Sequence, residues 1–274
     1  MEIHPTAFGL YGTCNNYPWG RKGTKSLAAR LCAATSRDDF RVDENEHYSE
    51  MWFGDYPDFP ARLRDRQDLG DMLRNNKMKL LGKHSVDKFG DQLPYLPKIL
   101  SIAKALPLQV HPNKAQAARL HQQNPERFPD SNHKPEIAIA LSHFELFAGW
   151  KPLDRISPLF NTPNLRRFVP STTSWTDETL RHVVRGLLKI DSDTIQAIQE
   201  DLKVHFEQDS KSTGSQTSNY LLRVLGQLQA QYTNTDPGTL VAVLCMNYFV
   251  LEAGEAIFIP AGGVHCYISG DIFE

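Results

Sequence analysis

The heptapeptide Leu106-Pro107-Leu108-Gln109-Val110-His111-Pro112 restricts what this chain can become more than any other stretch. Read as a strand, its side chains alternate between faces. Leu106, Leu108 and Val110 take one face, and Pro107, Gln109 and His111 the other. An amide and an imidazole two residues apart, backed by apolar side chains, form a pair of ligands on a rigid support. Two distant segments carry groups of matching chemistry. In His133-Lys134-Pro135-Glu136 the proline keeps Lys134 out of the helical region, so Lys134 and Glu136 share a face. The run Gly254 to His265 places a second histidine after a strand and a turn. Gln109, His111, Glu136 and His265 therefore read as a divalent-metal site. Two neutral imidazoles, a carboxylate and an amide suit zinc, and would also accept manganese, iron or cobalt.

A block of different periodicity separates the third of these groups from the fourth. Leu180, Val183, Val184, Leu187 and Leu188 have the spacing of an amphipathic helix, with caps offered by Thr172 to Asp177 and Thr176 favoured. Ile195, Ile198, Leu202 and Phe206 predict a second helix, and Leu221, Leu222, Leu225 and Leu228 a third. Glu207 to Ser218, polar and rich in Ser and Thr, reads as a flexible loop. On the N-terminal side, residues 7–60 read as short strands and loops with a short helix over Ser26 to Cys32. Asp68 to Leu81 is expected to be a helix ending at Gly82, Leu96 to Ala103 a strand interrupted by Lys98, and Lys114 to Gln123 a helix capped by Asn113. In Glu136 to Leu141 the carboxylate shares its face with Ala138 and Ala140, a wall of small side chains that leaves room for a ligand. Strands are expected again from Thr239. The expected class is mainly β with an α insertion. A metal-binding barrel is built from 1–152 and 237–274, and a helical domain from 153–236.

Composition narrows the function. A formal charge of −2 and a pI near 6.6 over 274 residues argue against a nucleic-acid or membrane-surface binder, both of which need a basic field. A small anionic partner held by a few lysines is compatible. Met1 to Gly20 shows no apolar signal segment, and the longest apolar run, Leu240 to Leu251, is too short to span a bilayer and contains Asn247. Four cysteines form no CxxC pair, as expected of reduced thiols. A cytoplasmic protein, monomeric by default, is the expectation. His47, His121, His133 and His143 lack supporting spacing and read as structural or surface residues.

Gly254-x5-Pro260-x4-His265 is the second half of a cupin-type signature, and cupins are double-sheet jelly rolls. With the Gln-x-His strand and the later Glu, the sequence resembles the type I mannose-6-phosphate isomerases. The resemblance is carried by Asn16-Tyr17-Pro18-Trp19-Gly20, Tyr48-Ser49-Glu50-Met51-Trp52-Phe53-Gly54, Leu93 to Ser101, Leu108 to Lys114, Asn132-His133-Lys134-Pro135-Glu136, Gly254 to Ala261 and His265 to Asp271. It covers about residues 9–152 and 237–274.

The resemblance implies a cupin-type jelly-roll barrel plus a helical domain, and one zinc ion per chain held by Gln109, His111, Glu136 and His265. It also implies a sugar phosphate near Trp19, Glu50, Lys98 and Lys134, with Tyr267 and Glu274 in the same pocket. The implied reaction interconverts mannose 6-phosphate and fructose 6-phosphate through an enediol, supplying mannose for nucleotide-sugar synthesis. Glu274 is the first candidate for the acid/base and Lys134 the second. Lys98, set in an apolar strand, needs an anion or acidic partner to be buried. Trp19 and Glu50 fit packing or direct contact equally well.

Two departures from the family pattern carry expectations of their own. Pro107 stands where relatives often have a serine, removing a hydroxyl and a backbone N–H, so phosphate binding would lean on the lysines. The family pattern continues beyond the equivalent of Glu274 with an arginine and a second barrel, so exposed sheet edges and little turnover are expected of the 274 residues. The alternative function is a non-catalytic cupin that binds metal and sugar phosphate.

Overall fold

The computed structural model describes residues 7–35, 40–171, 174–233 and 235–274. Residues 1–6, and the cap candidates Thr172 and Thr173, lie outside the described residues. In chain order the strands are β1 (Thr13–Asn15), β2 (Arg21–Lys22), β3 (His47–Tyr48), β4 (Glu50–Trp52), β5 (Lys98–Ile102), β6 (Gln109–Val110), β7 (Glu136–Ala140), β8 (Phe144–Trp150), β9 (Met246–Leu251), β10 (Ala256–Ile259) and β11 (Val264–Phe273).

The fold turns on β11. Its first half pairs antiparallel with β6 and β8, and its last residues pair with β5 and β7. One ten-residue strand thus belongs to both sheets of the barrel. The change of sheet occurs at a bulge between Tyr267 and Ser269, followed by Gly270 at φ +130°. A Cβ on Gly270 would lie 2.6 Å from the His143 carbonyl oxygen, so only glycine fits this corner.

Alternation along β8 and β11 separates two cores. Phe147, Val264, Cys266 and Ile268 pack outward against the helical block. Phe144, Leu146, Ala148 and Tyr267 point into the barrel with Leu100, Ala138, Ala140, Ile259 and Ile272. The helix Leu27–Thr35 covers part of the opposite face of β4 and β5 through Ala28, Cys32 and Met51. Further along that face, Ile137, Phe258 and Phe273 are exposed.

Several expectations hold at the level of single caps. Asn113 accepts the amide of Gln116 at the start of Lys114–Gln123, and Thr176 accepts that of Thr179 at the start of Asp177–Leu187. Others are corrected. Glu207 to Ser218 is no loop: one helix runs Ser192–Thr213, ends on left-handed Gly214, and Ser215 caps the next, Gln216–Tyr232. The Ser, Thr and Asp there are weak helix formers, but the helix is carried on from the buried stripe that ends at Phe206, and the polar side chains bond locally, Ser210 to Asn219 and Ser218 to Asp209. Strands do not return at Thr239 either. Asp236 and Pro237 open a helix, Pro237–Cys245, whose residues from Thr239 onward are all buried. A helix enclosed on every side has no polar face, so its periodicity is invisible. The helix Leu69–Leu80 does end as expected, with left-handed Gly82 at φ +76° just past its C-cap Leu81, but a second helix, Gly82–Phe89, follows at once. Of Leu106 to Pro112 only Gln109–Val110 pairs as a strand, and Val110 is 57% exposed. Leu108 packs on the helical cluster, while Leu106 turns into the barrel.

Candidate metal centre

Strand register brings the chemistry together. Residue 50 lies opposite 100, 52 opposite 98, 272 opposite 100 and 140 opposite 272. By alternation Glu50, Lys98, Leu100, Glu136 and Glu274 all face the barrel interior. The bulge in β11 makes this possible. In an unbroken strand residues 265 and 274 would point to opposite faces, and the extra residue restores the phase. On the other sheet Gln109 pairs with His265. Gly262, left-handed at φ +86°, donates its amide to the His111 carbonyl at 2.7 Å, tying the two histidine-bearing segments.

The result is a cavity of about 160 Å³ lined by Glu50, Lys98, Leu100, Leu106, Gln109, His111, Lys134, Glu136, Tyr267 and Glu274. His111 Nε2 lies 2.9 Å from Glu136 Oε1, and His265 Nε2 lies 3.3 Å from Glu136 Oε2. Ligating atoms of these three residues all lie within 4.8 Å of one another. Donors around a tetrahedral ion at zinc distances sit about 3.4 Å apart, close to this spacing. His265 is fully buried, and its Nδ1 lies 3.1 Å from the Gly263 carbonyl. That bond places the proton on Nδ1 and turns the Nε2 lone pair toward Glu136. Nε2 itself has no well-aligned hydrogen-bond partner, which a cation would supply. The donor set fits a metal ion.

Charge points the same way. Burial alone would raise the Glu136 carboxyl, but His111, the adjacent His265 imidazole and the Tyr267 hydroxyl outweigh it and hold the group well below the usual range. Burial would lower His265, yet Glu136 holds it above its ordinary value. Burial, with neighbouring carboxylates, pushes Glu274 up against the pull of Lys98. Three carboxylates thus share the cavity with Lys98, whose Nζ lies 3.0 Å from Glu274 and 3.9 Å from Glu50. Lys134, half-exposed, lies 3.6 Å from Asp130. The surplus of negative charge calls for a cation.

Lys98 has its acidic partners, and Glu50 is buried at the wall. Trp19 is the exception among the expected substrate-binding residues. It is absent from the cavity lining and packs against Tyr17, with ring centroids 6.1 Å apart, beside the barrel cluster. Pro107 is exposed. Sequence reasoning missed two residues. Asn15 Nδ2 and Trp52 Nε1 both donate to Glu50 Oε2, at 3.0 and 2.7 Å, leaving Oε1 toward Lys98. Trp52 was detectable, since it lies two residues from Glu50 on one strand face. Asn15 carried no local signal. Of the histidines set aside, His47 and His121 bond the backbone carbonyls of Gly20 and Phe128. His143 sits between Glu252 and Glu145.

The fold and this pocket define a metal-binding cupin with a helical insertion. Residues 7–153 match the family described as phosphomannose isomerase type I, catalytic domain. The chain is 35% identical to mannose-6-phosphate isomerase of Ogataea parapolymorpha over 100% of its own length and 67% of that protein's. It is 34% identical to the Saccharomyces cerevisiae enzyme over 97% and 66%. Among solved structures it resembles apo mannose 6-phosphate isomerase from Salmonella typhimurium, with TM-score 0.76 and 26% identity over 96% of this chain and 66% of that one. A structure of the same enzyme bound to fructose 6-phosphate and zinc also matches, at TM-score 0.76 and 25% identity, with the same coverage. The chain belongs to the type I phosphomannose isomerases. It spans about two thirds of the length of these relatives.

Proposed function

We propose that this chain carries a zinc-dependent aldose–ketose isomerase site acting on mannose 6-phosphate and fructose 6-phosphate. The observation that carries the reading is the convergence of His111, Glu136 and His265 beside Gln109, Lys98 and Glu274 in one cavity. Relatives about 35% identical, of which this chain spans about two thirds, are named mannose-6-phosphate isomerase. One zinc held by Gln109, His111, Glu136 and His265 would supply positive charge beside the sugar's O1 and O2. The chain's own residues do the rest. Glu274, whose raised carboxyl is a stronger base than a free one, takes the proton from one carbon and returns it to the next. Lys98 holds Glu274 in place at 3.0 Å, and Glu50, fixed by Asn15 and Trp52, holds Lys98. Lys134, at the more exposed edge, is placed to meet the phosphate. Trp19 supports this wall by packing. Residues 1–152 and 237–274 act as the metal barrel and 153–236 as a helical domain, in a cytoplasmic monomer feeding nucleotide-sugar synthesis.

A second reading is favoured by size. At about 160 Å³ the cavity is smaller than most ligand pockets, which suits a protein that binds metal and the end of a sugar phosphate without turnover. Zinc-loaded chain incubated with fructose 6-phosphate in D2O separates the two. Appearance of mannose 6-phosphate is expected, with deuterium replacing one C1 proton wherever Glu274 exchanges with solvent before returning it. Fructose 6-phosphate that binds but is neither converted nor exchanged would establish the second reading.

A further inference from the structure

A larger concavity lies away from the metal centre. It has a volume of about 660 Å³ and is lined by Arg21, Lys22, Lys25, His47, Ile102 and Ser269, among others. Its frame is rigid: β2 pairs with β3, and Gly20 bridges to Ile102. Ile102 closes the strand that Lys98 opens, so the groove sits about 13 Å along β5 from the metal pocket.

The charges are held differently from those of an ordinary solvated face. Arg21 is anchored at its base, with Nε donating to the Ile102 carbonyl at 3.4 Å and Nη1 lying 3.4 Å from the buried Asp271. That carboxylate balances Arg21 alone. Lys22 and Lys25 have no ion-pair partner among the described residues. Glu44, the acidic group nearest the loop, is engaged by the Thr24 amide at 3.1 Å. His47 is fixed by its 2.8 Å bond to the Gly20 carbonyl. In a chain of net charge −2, a concave surface with two lysines outside any ion pair among the described residues and an oriented guanidinium attracts anions. Exposed Ala103 and the aliphatic stems of the lysines give it an apolar rim that an inorganic ion would not use. The concavity is broadly open to solvent, so a ligand would lie along it rather than be enclosed.

We propose that this groove is a second binding site, specific for an organic phosphate or diphosphate. The anionic end sits among Lys22, Lys25 and Arg21, and its body rests on Ala103 and the lysine stems. The proposal is independent of the isomerase reading, since it shares no side chain with the metal cavity.

Titration calorimetry of the full chain with adenosine diphosphate, at fixed ionic strength, tests it. Three proteins are compared: the wild type, the double variant Lys22→Glu/Lys25→Glu, and Lys98→Ala. Both lysines are exposed, so the double variant is expected to fold. The expected result is saturable binding that weakens at least about tenfold in the double variant and is unchanged in Lys98→Ala. Equal binding of sulfate at the same ionic strength would show an unspecific cationic patch and overturn the proposal. So would binding that Lys98→Ala abolishes and the double variant keeps, because the anion would then occupy the metal cavity.

Discussion

At the scale of single residues, the state of Glu136 decides whether the centre works. Its two oxygens meet His111, His265 and the phenol of Tyr267, which donates at 2.9 Å. Burial pushes the Tyr267 hydroxyl up, so it remains a donor at every physiological pH. Tyr267→Phe should leave the fold intact and weaken zinc binding about 10–100-fold, measured by competition with a chelator. Glu136→Gln should remove zinc altogether. The pH dependence has a definite sign. Without metal, His265 is held above its ordinary value by Glu136. That contribution to stability is fully present below about pH 6.5 and is lost as pH rises through the folded-state value. Zinc displaces the same proton, so its affinity climbs over that interval. Melting curves with and without zinc from about pH 6 to pH 8 should show the metal-free chain losing stability while the zinc-induced gain grows. A gain that is flat across the series would remove His265 from the ligand set.

At the scale of elements, two backbone devices aim the ligands. Left-handed Gly262 bonds His111, and the bulge at Tyr267–Ser269 rephases β11 so that His265 and Glu274 both face the barrel interior. Gly262→Ala should cost about 1–2 kcal/mol and lower zinc affinity with it, whereas Gly254→Ala, left-handed but remote from His111, should lower the melting temperature alone. Both are read by melting and zinc titration of the same samples. These elements also show what the sequence could reveal. Gln109 and His111 were legible because two-residue alternation survives even in a short strand, and Glu136 because a proline enforces extension. The caps at Asn113 and Thr176 were legible because they are local. The bulge was not, since nothing in Tyr267-Ile268-Ser269 distinguishes a rephased strand from a continuous one. The buried helix Pro237–Cys245 has no polar face to betray its period. Asn15 reaches Glu50 across 35 positions, a contact that only the sheet register creates.

At the scale of the whole molecule, the helical block is joined to the barrel by apolar packing around Phe147, Cys266 and Ile268 and by an ionic link to a buried carboxylate. Glu145 on β8, 3% exposed, bonds Arg223 of the helix Gln216–Tyr232. Arg223 is half-exposed, so the pair is partly screened, but its loss strands a buried carboxylate beside His143. Arg223→Ala should destabilise the chain by about 1–3 kcal/mol, read by denaturant unfolding, without altering zinc content. Among the described residues no helix is long and apolar enough to cross a membrane. The long intervening block exists between ligands that must meet, and zinc K-edge absorption on the purified chain tests that meeting most directly. One zinc per chain, with two imidazole nitrogens and two oxygens at about 2.0–2.2 Å, is expected, and His265→Ala should lose it. Zinc bound without imidazole, or retained unchanged in His265→Ala, would contradict a shared centre.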